Sequence, residues 1–127
     1  MILQYCKKIN LFRKIILKQK LKANGFPYIK VDKQMIKKYR ETTNKNRFAK
    51  DNEIEFKIVR AFYSGHTTSI NDREETVEYG YLTIKKDKEK NLITYIQNNR
   101  SGRNGRIDFE IKDRITAIYV SVYGGEV

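Results

Sequence analysis

Arg100, Arg103 and Arg106 stand three residues apart in the stretch NNRSGRNGR, residues 98–106, with only Asn, Ser and Gly between them. A guanidinium is a planar fork of donors that matches the oxygens of a phosphate, and Gly102 and Gly105 would let backbone amides approach a ligand closely. The chemistry on offer is phosphate capture. The same letters also suit a hairpin, with Asn104-Gly105 supplying a positive-φ turn and the arginines merely solvated.

A second set of cations gives the phosphate reading weight. Lys7, Lys14, Lys18 and Lys22 line up on one face of a predicted helix, and Lys33, Lys37 and Arg40 on the next. Arg47, flanked by Lys45 and Lys50, extends them. Each phosphate neutralised by such a side chain releases counterions, a favourable contribution that is independent of base sequence. Exposed helices ordinarily mix acids among their lysines, because Glu–Lys pairs support the helix. Here residues 1–50 hold 15 Lys and Arg against two acids, Asp32 and Glu41, whereas residues 51–127 hold 12 against 13. The whole net charge of +12 therefore belongs to the first 50 residues. Such asymmetry predicts a basic face that meets a polyanion, joined to a neutral body.

His66 is the candidate for catalysis. It lies in SGHTTSINDREE, residues 64–75, with Ser64, Thr67, Thr68 and Ser69 close by, the raw materials of a nucleophile and its base. Asp72, Glu74, Glu75 and Glu78 make that neighbourhood acidic and ill-suited to phosphate, so no catalytic role is assigned. Glu53/Glu55 and Asp108/Glu110 alternate with apolar residues and read as solvated faces of strands.

One Cys and one His exclude an internal disulfide and an ordinary zinc site, and no metal or cofactor is expected. The lone Cys6 suits a reducing, cytoplasmic setting. No apolar run approaches the ~18–20 residues that span a bilayer. Lys7, Lys8, Arg13, Lys14 and Lys18 interrupt any secretory signal core. A membrane surface is a rival polyanion for a helix carrying Ile9, Phe12, Ile15 and Ile16 beside lysines. That stripe is more simply the core-facing side.

The elements that must position these groups follow from periodicity. Residues 7–25 predict a helix stopped by Asn24-Gly25, and residues 32–44 a second with Asp32 as N-cap. Pro27 makes the segment 25–31 extended. Its seven residues are too long for the turn of a helix-turn-helix. After a polar connector at 45–52 the period changes to two. Ile54, Phe56 and Ile58 alternate with charges, and runs at 76–86, 91–97, 106–112 and 114–123 complete five predicted strands. The first run changes parity near Val59 and the second near Gly80.

The expected fold is α+β in a single domain, residues 1–127. Its basic helical part, residues 1–50 with two helices, packs on a five-stranded antiparallel β-sheet or partly open barrel formed by residues 51–127. Tyr79, Tyr81, Tyr95, Tyr119 and Tyr123 fall in predicted strands, where cross-strand packing is their default and stacking on unpaired bases the functional alternative.

These features predict a small, non-enzymatic nucleic-acid-binding protein, with RNA or single-stranded DNA favoured over a duplex read by sequence. One alternative is a small ribonuclease or toxin with an Arg/Tyr/His site. Another is a mobile-element or phage-type protein that binds and inhibits an acidic host protein.

Overall fold

The structure, a computed structural model, describes residues 2–42, 46–99 and 105–124, with side chains from residue 9 onward. These residues form helices α1 (Ile2–Ala23), α2 (Lys33–Arg40) and α3 (Asp51–Ser64), then strands β1 (His66–Ile70), β2 (Glu74–Tyr79), β3 (Leu82–Asp87) and β4 (Leu92–Asn98), and last α4 (Phe109–Tyr123). The class is α+β, with an antiparallel sheet in the order β1-β2-β3-β4. The chain divides into two compact units, one drawn from Met1–Tyr28 and Asp113–Val127, the other Ile29–Lys112.

In the first unit α1 ends as its sequence predicts. Gly25 takes φ 89°, its N–H bonds to the Lys22 carbonyl at 3.1 Å, and the Phe26 N–H bonds to the Leu21 carbonyl at 2.8 Å. That pair of bonds is the Schellman closure, which needs a residue that tolerates the left-handed region. Leu17 and Leu21, one turn apart, are buried, as is Ile115. Lys20 Nζ donates to Ser121 Oγ at 3.2 Å, joining α1 to α4 within this unit. The face expected to meet the core does not. Phe12 and Ile15 are exposed, together with Leu11, while Ile9 and Ile16 are half-buried. Two leucines on one face outweigh a longer but looser isoleucine stripe.

The second unit is built on α3. Ile54, Phe56, Ile58, Val59, Ala61 and Phe62 are all buried, so apolar burial extends around most of this helix, while Glu53, Glu55, Lys57 and Tyr63 keep partial exposure. At about 1.5–3 kcal/mol for each large side chain, this is the densest source of stability in the unit. α2 packs on α3 and on β4, and α3 packs on β2. The sheet offers them Val77, Ile84 and Ile96, which stand in register across β2, β3 and β4 and are buried. α2 begins at Asp32, whose Oδ1 accepts from the Met35 N–H at 2.9 Å, and it turns Ile36 and Tyr39 inward.

Four corrections to the sequence reading follow. The predicted strand from residue 53 is α3. A short apolar alternation fits a strand or a helix buried around most of its surface, and the parity change near Val59 is the helical period asserting itself. The predicted strands at 106–112 and 114–123 are the approach to α4 and α4 itself. Asp108 caps it, accepting from the Ile111 N–H at 3.1 Å, and Ile111, Ile115, Ile118 and Val122 recur at helical spacing with some degree of burial. The run 76–86 is two strands, β2 and β3, joined at Gly80-Tyr81. The stretch 64–75 holds β1, every side chain of which is exposed. The described sheet therefore has four strands rather than five and is open rather than a barrel. Two of the four described helices lie beyond residue 50, so the basic half of the sequence is not the helical half of the fold.

Candidate functional site

The β2–β3 turn gathers the groups best placed to receive a ligand. Tyr79 pairs with Leu82, leaving Gly80 and Tyr81 as a two-residue turn. Gly80, at φ 57°, occupies the first central position, where a type II′ turn favours glycine. Gly80 also exchanges backbone bonds with Gly105, and the Asn99 N–H donates to the Tyr81 carbonyl at 2.7 Å. Both ends of the arginine-bearing segment are thus tied to this one turn. At the return point a Cβ on Gly105 would lie 2.7 Å from the Glu78 backbone carbon, so only glycine fits there without displacement.

Beside the turn is a pocket of about 220 Å³. The turn forms one wall, Tyr39 and Thr42 from the end of α2 another, and Asn98 from the end of β4 a third. Its lining carries no carboxylate. Tyr81 is 51% exposed, whereas Tyr39 is buried. Burial pushes the Tyr39 phenol up to about 12, with neighbouring Tyr79 adding to the rise and Arg60 opposing it. The phenol accordingly stays protonated and neutral at physiological pH. Lys112 Nζ lies 5.6 Å from the centre of the Tyr79 ring. Asn98 Nδ2 reaches the Thr42 carbonyl at 3.5 Å, a long and weak bond, and its Oδ1 is buried with no hydrogen-bond partner among the described residues. A buried acceptor left unmade costs about 1–3 kcal/mol, which makes it the unusual atom of the site.

The cations singled out in the sequence divide into three kinds. Lys33 and Lys37 lie one turn apart on the exposed side of α2, and neither they nor exposed Arg106 forms an ion pair with any described residue. Arg47 is exposed as well and lies over the exposed ring of Phe48, 5.6 Å from its centre. In the first unit Lys18 and Lys22 are exposed, Lys18 over the Tyr28 ring at 5.2 Å, and Lys14 is half-buried.

Arg40 behaves differently. Its guanidinium pairs with Asp51 at the start of α3 and donates to the Ala49 carbonyl, so it fastens α2 to the head of α3. The Lys7 side chain, Arg100 and Arg103 lie outside the described residues.

No protein-family model, no curated protein and no solved structure matches this chain. What the site can do therefore rests on its own chemistry. His66 is exposed on β1, in register with Glu78, and hydrogen-bonds to none of the described hydroxyls around it. Ser64 is fully buried and donates to the Arg60 carbonyl at 2.6 Å. That hydroxyl closes the end of α3. Among the described residues there is no group of three or more His, Cys, Asp or Glu placed to hold a metal ion, and no helix long and apolar enough to cross a membrane.

The sequence reading found Tyr79 and Tyr81 but not their partners Tyr39 and Asn98. The available signal was Gly80 between two tyrosines, a turn that brings distant elements to one end of the sheet.

Proposed function

We propose that this protein binds single-stranded nucleic acid, RNA or DNA, through backbone phosphates, as a binding protein acting in a reducing cytoplasm. The observation that carries this reading is the pairing of Lys33 and Lys37, exposed and without an ion-pair partner among the described residues, on a helix whose inward Tyr39 lines the pocket. Cations held out to solvent with no acid to answer them attract an extended anion, and aromatic rings nearby offer a surface to unstacked bases. Arg106 adds a further exposed charge in the same unit, with Arg100 and Arg103 in the sequence just before it. Lys18 and Lys22 supply charge in the first unit.

Fluorescence anisotropy with a labelled single-stranded oligonucleotide tests this directly. With ~5 phosphates contacted, log affinity falls against log salt with a slope near −3.5, against about −4.5 for a duplex. The double variant Lys33→Glu, Lys37→Glu weakens binding and makes the slope shallower. An affinity indifferent to salt between about 50 and 200 mM would overturn the proposal. Retention of an acidic protein through a nucleic-acid-free purification would redirect it to a protein partner.

A further inference from the structure

We infer that the tyrosine pocket at the β2–β3 turn takes one unpaired nucleobase of the bound strand and prefers a base that carries an exocyclic amino group. The inference rests on the nucleic-acid reading above and gives it a base preference. Three features point this way.

The first is size. The pocket, about 220 Å³, holds roughly seven waters' worth of liquid volume, room for a planar heterocycle but less than a drug-sized ligand occupies. The second is lining. Tyr39, Tyr79 and Tyr81 surround it with aromatic surface, and Tyr81 is half-exposed, free to lie against an entering ring.

The third is Asn98. Among the described residues its Oδ1 is an acceptor with no donor, and the amide is held by a single 3.5 Å bond to the Thr42 carbonyl. As the side chains stand this oxygen is shut off from solvent, but so weak a tether lets the amide turn toward the pocket at little cost. An N–H of the ligand then supplies the bond that the protein leaves unmade. Cytosine presents N4–H₂ and adenine N6–H₂ as two-donor groups at one edge, whereas uracil or thymine offers a single N3–H flanked by O2 and O4, so an acceptor beside it also meets a carbonyl oxygen. A site whose buried polar atom goes unanswered rejects the wrong ligand more strongly than an apolar pocket does.

The test compares the octamers A₈, C₈ and U₈ by anisotropy at one low salt concentration, with wild type, Tyr81→Ala and Asn98→Leu. In wild type, C₈ and A₈ bind about tenfold more tightly than U₈. Tyr81→Ala weakens A₈ and C₈ by about tenfold through lost stacking. Asn98→Leu removes the unmade bond without opening a cavity, so it folds, and it brings A₈ and C₈ down to the level of U₈. Thermal melts of both variants establish that they are folded.

Equal, salt-dependent binding of all three octamers, unaffected by either substitution, would sink the pocket inference and leave the phosphate-binding reading standing. Binding of none of them at low salt would sink both. Adenosine binding more tightly than A₈ would make the ligand a free nucleoside and overturn the assignment to a strand.

Discussion

α2 and α3 pack against each other, yet they are opposite kinds of helix. α3 buries six apolar side chains spread around most of its circumference, and its buried cation, Arg60, lies over the Phe56 ring at 5.6 Å. α2 is eight residues long, buries only Ile36 and Tyr39, and turns Lys33, Lys37 and Lys38 to solvent. A helix with so many buried apolar side chains contributes chiefly stability and leaves little surface for a partner. A short helix anchored by two side chains leaves most of its surface for something else. Fold and proposed function are thus separated between adjacent elements, and substitutions in the two should have separable consequences.

The largest effect belongs to α3. Phe56→Ala removes a fully buried ring and leaves a cavity, costing about 3–5 kcal/mol, read as a lower urea midpoint with nucleic-acid affinity per folded molecule unchanged. A change in affinity comparable to that in stability would break the comparison, because α3 would then be part of the site.

Next is an effect of pH at the boundary between the two helices. Tyr39 is held near 12 in the folded protein and titrates near 10 when unfolded. Between those values the folded state keeps a proton that the unfolded state has lost. Stability is therefore full below pH 10 and falls as pH rises from 10 to 12, by up to about 3 kcal/mol. Tyr63, also pushed up to about 12 by burial with Glu75 contributing, adds a smaller share because it is only half-buried. Urea titrations at pH 9 and pH 11 show the loss in wild type and a reduced loss in Tyr39→Phe. An unchanged pH dependence in that variant would remove Tyr39 as its source.

How far the sequence foretold this division depended on what each element touches. α2 was legible because its signals are local: Asp32 caps it, and its apolar residues recur at helical spacing. β4, expected at 91–97 and found at Leu92–Asn98, is legible from its β-branched and aromatic run, even though a bulge places its buried Ile93 and Ile96 three residues apart. α3 reads as a strand because Ile54, Phe56 and Ile58 alternate with charges over a short run, which masks the helical recurrence of Glu53, Lys57, Arg60 and Ser64. α4 was misread because Ile, Thr, Val and Tyr favour strands on average, while the overriding signal was a single capping residue, Asp108. β1 is not legible as a strand because an edge strand with no buried side chain has no alternation to display. As for the site, exposed lysines could be named from the sequence. Arg40 could not be told apart from them, since its role depends on Asp51, eleven residues away. The pocket was invisible because Tyr39, Tyr81 and Asn98 meet only once the sheet and α2 have formed.

Lys33→Ala and Lys37→Ala form a milder pair. Each removes one exposed charge with no ion-pair partner among the described residues, so stability should stay within about 0.5 kcal/mol of wild type. Each should also cut the magnitude of the salt slope by roughly one. Loss of stability without loss of binding would reverse the roles assigned to α2 and α3.

The smallest expected effect on affinity discriminates most finely, because the same substitution acts on stability and binding in opposite directions. Asp32 accepts the Met35 N–H and is one of only two acids in the first 50 residues. Asp32→Ala removes the cap and costs about 1 kcal/mol. It also removes a negative charge beside Lys33, so nucleic acid should bind slightly more tightly to the destabilised protein. Asp32→Ser separates the two roles, since it keeps a capping oxygen without the charge. It should recover most of the lost stability while retaining the gain in affinity. If the affinity gain disappears together with the stability loss, the carboxylate acts on binding only by holding α2 in shape, and the exposed lysines are not the surface on which the phosphates rest.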